Sequence, residues 1–137
     1  MYFSTNHNSP VVTFQEALLK GLAPDGGLYM PVSIPHLETE EIVNFSSKRY
    51  PEIAFSVLNR LIGTEIDSSR LSELCSDAYN FEIPIEKVNQ RNYIMRLDQG
   101  PTASFKDFAA RMMARLMQYF LSHLNNRLVI LTATSGD

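Results

Sequence analysis

The sequence predicts a mixed α/β fold: a small, mostly helical N-terminal unit over residues 1–82, then the opening of an α/β layer over residues 83–137. Two observations carry this reading. Before Pro84, helix start and stop signals recur, with only one or two strand-like runs between them. After Pro84 the pattern changes to an apolar run, a loop, a long amphipathic stretch and a second apolar run. The 137 residues are 45% hydrophobic and 20% charged, enough to bury a core.

"MYFST" reads as a short strand. In "SPVVTFQEALLKGL", Thr13 and Glu16 have capping-box spacing and Gly21 follows the last apolar position, so a helix is expected between them. "APDGGLYMP" is turn chemistry, with Asp25, Gly26 and Gly27 supplying positive φ. A short helix is expected around "ETEEIVNFSS". A clearer one follows in "YPEIAFSVLNRLIG", where Pro51 suits the first turn, Ile53, Val57, Leu58 and Leu61 share a face, and Gly63 stops the helix. "DSSRLSELCSDAYN" gives a fourth helix capped by Asp67 or Ser68.

In "NFEIPIEKVNQR", Pro84 discourages both helix and central strand. "NYIMRL" then reads as a strand, "DQGPTAS" as a loop, Phe105 to about Leu124 as a helix, and "RLVILTAT" as an apolar strand. Strand, crossover helix and strand make a βαβ unit with parallel strands and a right-handed crossover.

The formal net charge of −3 and pI near 5.6 argue against a general nucleic-acid binder. No run approaches the roughly 18 apolar residues of a membrane span, and no basic start precedes an apolar run as in a signal peptide. The single cysteine, Cys75, excludes an intrachain disulfide, fits a reducing cytoplasm, and sits at helical spacing from Leu71, Leu74 and Ala78 as a buried small residue. His7, His36 and His123 have no paired spacing, so no metal site is expected. Phe108, Met112, Leu116 and Phe120 follow helical spacing as core, and Arg111 and Arg115 read as solvated.

Lys106 stands where that helix begins. Ser104 is placed as an N-cap with Asp107 three residues on, which puts Lys106 near the second helical position. There the helix dipole disfavours a cation by about 0.3–1 kcal/mol, so the amine should hold its proton less tightly. A neutral amine is what an imine-forming lysine needs, and a helix start suits a phosphate. The residues alone leave a second reading open, a solvated lysine whose stem lies over Phe105 or Phe108. "LTATSGD" runs from an apolar strand into hydroxyls and glycine, as ligand loops of open α/β sheets do and as ordinary turns also do.

Together, "GPTASFKDFAARMM" and "LTATSGD" resemble the pyridoxal-phosphate-dependent threonine synthases of the longer, microbial and fungal type. "TFQEALLKGLAPDGGLYMP" is similar to that family's N-terminal domain. The resemblance implies a threonine synthase N-terminal domain over 1–82 and the start of a tryptophan-synthase-β-like catalytic domain over 83–137, truncated after the last motif. It implies a lyase converting O-phospho-L-homoserine and water to L-threonine and phosphate with pyridoxal phosphate. Lys106 matches the lysine that holds the cofactor as a Schiff base and moves protons. Asp137 matches a cofactor-facing position, and Thr134, Ser135 and Gly136 match the loop facing the substrate carboxylate. Relatives carry asparagine where this chain has Asp137.

Family members continue past "TATSGD", so the chain is expected to be an N-terminal fragment that is inactive alone. An unpaired sheet edge and apolar helix face are then expected to drive self-association. Two alternatives stand beside this reading: a non-catalytic interaction module, and a related pyridoxal-phosphate lyase acting on another phosphorylated amino acid.

Overall fold

The computed structural model describes residues 1–124 and 127–133. The chain divides into two units, Met1–Glu73 and Leu74–Asp137.

In the first unit, β1 (Tyr2–Ser4) pairs antiparallel with β2 (Tyr29–Pro31), Phe3 opposite Met30. Tyr2 also exchanges both backbone hydrogen bonds with Val12, at 2.8 and 2.9 Å. This brings Val12 to the start of α1 (Phe14–Lys20). Tyr2, Val12 and Ala17 are buried with Phe14 and Tyr29 packed on them, and the Tyr2 and Phe14 rings lie 5.6 Å apart. The capping box expected at Thr13 and Glu16 is formed, and Gly21 ends the helix at a φ of 73°. A second cap is added by Glu65, whose carboxylate accepts the Phe14 and Gln15 N–H groups, each at 2.8 Å. Two of the orphan donors of α1 are satisfied this way.

The turn before β2 is organised by Asp25. Its carboxylate accepts the buried Ser4 hydroxyl at 2.6 Å and the backbone N–H groups of Asn8 and Gly27. α2 (Thr39–Asn44) runs into a 3₁₀ turn over Phe45–Ser47. α3 (Tyr50–Ile62) opens with Pro51 in its first turn and stops at Gly63, φ 71°. α4 (Ser68–Ala78) begins at Asp67, which accepts the Ser69 and Arg70 N–H groups. Leu71, Leu74, Cys75 and Ala78 form its buried stripe, as their spacing predicts.

In the second unit, β3 (Ile85–Asn89) and β4 (Asn92–Met95) form an antiparallel hairpin with Ile85 opposite Met95 and a register shift between Lys87 and Asn89. β4 is the expected strand; β3 is not. Pro84 stands one residue outside β3, and its carbonyl still accepts the Arg96 N–H at 2.9 Å. A proline immediately before a strand forfeits no ladder donor. Every residue of the hairpin is exposed, including Ile85, Val88, Tyr93, Ile94 and Met95.

α5 (Asp107–Leu124) buries Met112, Leu116 and Phe120, the stripe read from their spacing. It begins two residues later than expected. Residues 127–133 form no strand, so the expected parallel βαβ unit is absent among the described residues. An apolar run becomes a strand only where a partner takes up its N–H and C=O groups, and here β4 is paired with β3 instead. The mixed α/β class holds, with both sheets two-stranded and antiparallel. Among the described residues no helix is long and apolar enough to cross a membrane. Nor is there a group of three or more His, Cys, Asp or Glu side chains able to hold a metal ion.

Candidate functional site

The approach to Lys106 is built from the end of β4 onward. Arg96 grips Asp98 with two parallel hydrogen bonds, Nε to Oδ1 at 2.9 Å and Nη2 to Oδ2 at 2.7 Å, and reaches Glu86 on β3 at 2.8 Å. These bonds hold the Asp98 carboxyl well below its usual range, with Gln99 adding a further hydrogen bond. The segment leaving the hairpin is therefore tied back to it before the loop begins.

The loop turns at Gly100, whose carbonyl accepts the Ala103 N–H at 3.0 Å. Ala103 takes a φ of 55°, the left-handed region, which costs a non-glycine residue about 1–2 kcal/mol. Asp107 supplies the compensating anchor. It is 5% exposed, and its Oδ2 accepts the Thr102 N–H at 2.9 Å. Gly100 lies so close that a β-carbon there would come within 2.8 Å of the Asp107 Cβ.

Lys106 is placed just before α5 and not at the second helical position. Its carbonyl accepts the Ala110 N–H at 2.8 Å, the first intrahelical bond, so Lys106 occupies the N-cap position. Ser104 Oγ accepts the Lys106 N–H at 3.3 Å, and the Ser104 carbonyl accepts the Asp107 N–H at 3.1 Å. The expected Ser104–Asp107 capping box gives way to these bonds because the Asp107 carboxylate turns back to Thr102. The Lys106 side chain is exposed, with Nζ 6.0 Å from the Phe105 ring centroid. Lys106 is thus an exposed residue on a loop tied to the hairpin by Arg96 and to the helix by Asp107. Its primary amine is of the type that forms an imine with a carbonyl.

Behind the loop, α5 is fixed by residues that the sequence leaves looking solvated. Arg111 donates to the Ala78 carbonyl at 2.7 Å, the Asp77 carbonyl at 3.1 Å and Asn80 Oδ1 at 2.7 Å. Arg115 pairs with Asp77 at 2.6 Å. The Tyr79 hydroxyl donates to the Phe108 carbonyl, and the Phe81 ring stands edge-on to Phe108 at 5.4 Å. The anchoring roles of Gly100 and Asp107 were also missed. The signal for them was an acidic residue at a helix start seven positions after a glycine that opens a turn. Thr134, Ser135, Gly136 and Asp137, the other candidate site residues, lie outside the described residues.

Residues 1–79 match the family model described as the threonine synthase N terminus. The threonine synthase of Pseudomonas aeruginosa is 35% identical over 99% of this chain and 30% of its own length. That of Schizosaccharomyces pombe is 35% identical over 99% of this chain and 29% of its own. Among solved structures, a pyridoxal-phosphate-bound threonine synthase from Brucella melitensis superposes with a TM-score of 0.88 at 37% identity, over 92% of this chain and 28% of that one. The yeast enzyme gives 0.79 at 32% identity, over 90% and 27%. The chain thus spans about 30% of the length of the curated relatives it matches.

Proposed function

Because the chain belongs to the threonine synthase family, we propose that it supplies the cofactor-holding lysine, Lys106, to a pyridoxal-phosphate-dependent lyase. The reaction is conversion of O-phospho-L-homoserine and water to L-threonine and phosphate. The observation that carries this reading is the placement of the exposed residue Lys106 on a loop anchored by Asp107, at the head of an 18-residue helix. A primary amine held on a fixed, accessible turn fits a cofactor that reacts with amines.

The cofactor, when bound, supplies an electron sink for the substrate carbons. The chain's own contribution is narrower. Lys106 would hold the cofactor covalently and would move protons to and from the substrate. Thr134, Ser135 and Gly136 are assigned to the substrate carboxylate and Asp137 to the cofactor, on the motif "TATSGD". Residues 1–82 form the family's N-terminal domain, and residues 83–137 open its catalytic domain. The apolar residues exposed on both strands of the β3–β4 hairpin favour self-association of the isolated chain. The compartment we assign is the cytoplasm.

The test is to incubate the chain with pyridoxal phosphate, reduce with borohydride, and map the modified lysine by mass spectrometry. Selective capture at Lys106, abolished in Lys106→Ala, is expected. Equal labelling of Lys20, Lys48, Lys87 and Lys106 would favour a non-catalytic interaction module.

A further inference from the structure

We propose that Asp107 is the positioning residue for Lys106: its buried carboxylate fixes the Gly100–Ser104 turn and so sets where the amine at the helix start points. The inference rests on the reading of Lys106 as the cofactor lysine.

Asp107 is adjacent to Lys106 in sequence, yet it is buried where Lys106 is exposed. It is 5% exposed and accepts the Thr102 N–H at 2.9 Å. An acidic residue suits the first turn of a helix, where the backbone N–H groups lack intrahelical partners. Burial is tolerable only because a hydrogen bond is made, since an unpaired buried carboxylate would be strongly disfavoured. The glycine at position 100 is the steric counterpart, because any β-carbon would displace the carboxylate.

Between these two contacts the chain must turn through Ala103 at a φ of 55°, a conformation held only when its surroundings fix it. Asp107 is the group that does so from the helix side. Release it, and the turn loses its tie, Ala103 can relax, and the Ser104 hydroxyl no longer meets the Lys106 N–H. The effect on Lys106 is thus indirect, through backbone placement. Asparagine can replace the accepting oxygen; alanine cannot.

The experiment uses the whole 137-residue chain, unchanged and as Asp107→Asn and Asp107→Ala. Backbone amide exchange at Thr102 and Lys106 is followed by NMR, alongside borohydride capture of pyridoxal phosphate. In Asp107→Ala, both amides are expected to exchange at least about tenfold faster. Capture at Lys106 should fall to the level of Lys20, Lys48 and Lys87, whereas Asp107→Asn keeps both readouts close to the unchanged chain. A folded Asp107→Ala chain that frees Thr102 but leaves the Lys106 amide and its capture unaltered would overturn the proposal. If Asp107→Ala does not fold, Gly100→Ala, which crowds the carboxylate off the turn, must give the same losses or the proposal fails. Even capture in the unchanged chain removes the reading of Lys106 as the cofactor lysine, and the two exchange rates still decide the positioning.

Discussion

Arg111 closes the C-terminal end of α4 by donating its Nε–H to the Ala78 carbonyl at 2.7 Å. The last carbonyls of a helix have no partner within it, and the same guanidinium also serves Asp77 and Asn80. Lysine offers a point charge where this site uses a fork. Arg111→Lys is therefore expected to lower unfolding stability by about 1–3 kcal/mol in a urea titration. An unchanged midpoint would mean that water caps α4 equally well.

Two carboxylates hold the start of α1, and they should not be equal. Glu16 caps through a local box with Thr13, and Thr13→Ala is expected to cost about 1 kcal/mol. Glu65 accepts two N–H groups at 2.8 Å, and charge-assisted bonds are worth about 1.5–3 kcal/mol each. Glu65→Ala should thus lower the denaturation midpoint more than Thr13→Ala does. The reverse order would show that Glu65 contributes little in solution.

The Tyr29 hydroxyl is buried with no hydrogen-bond partner among the described residues. Removing such a group relieves a desolvation penalty of about 1–3 kcal/mol. Tyr29→Phe is expected to raise the thermal midpoint, a gain rare for a substitution in a packed region. A fall would reveal a bound water in that place.

Acid and alkali should act on different groups. Asp25 has its carboxyl lowered, first by the Ser4 hydroxyl and then by backbone N–H groups, from an ordinary value of 3.8. Its contribution is present above that value and is lost as pH falls through the lower folded value. Cys75 behaves oppositely: burial pushes its thiol up from 9.0 to about 11. Stability from the neutral thiol is complete below 9.0 and is lost as pH rises towards 11. Asp25→Asn should flatten the acid limb of a stability–pH curve, and Cys75→Ala the alkaline limb. Native Cys75 should also resist thiol reagents until the chain unfolds.

Local signals were the legible ones. The Thr13–Glu16 box, the Gly21 and Gly63 stops and the Phe108–Met112–Leu116–Phe120 stripe are set by neighbours three or four positions apart. What the sequence hid was long-range. Glu65 reads as one more surface acid until it is seen on Phe14, and Arg111 as solvated until it is seen on Ala78. β3 was obscured because "IEKVN" has little apolar alternation and follows a proline. The apolar run over 127–133 misled for the opposite reason: hydrophobicity marks a strand's burial but not its partner. Asp107 reads in the sequence as half of a capping box with Ser104, because its actual acceptor role, toward the Thr102 N–H, runs backward along the chain.

Seven residues are too few for a helix to persist unaided in water, and α1 has only seven. One of its two caps comes from 51 positions downstream. On a growing chain leaving the ribosome, Phe14–Lys20 would emerge early and then wait, frayed, until Glu65 had been synthesised. This helix is thus made before the residue that caps it, so translation products that stop before Glu65 should present Phe14–Lys20 to proteases and chaperones.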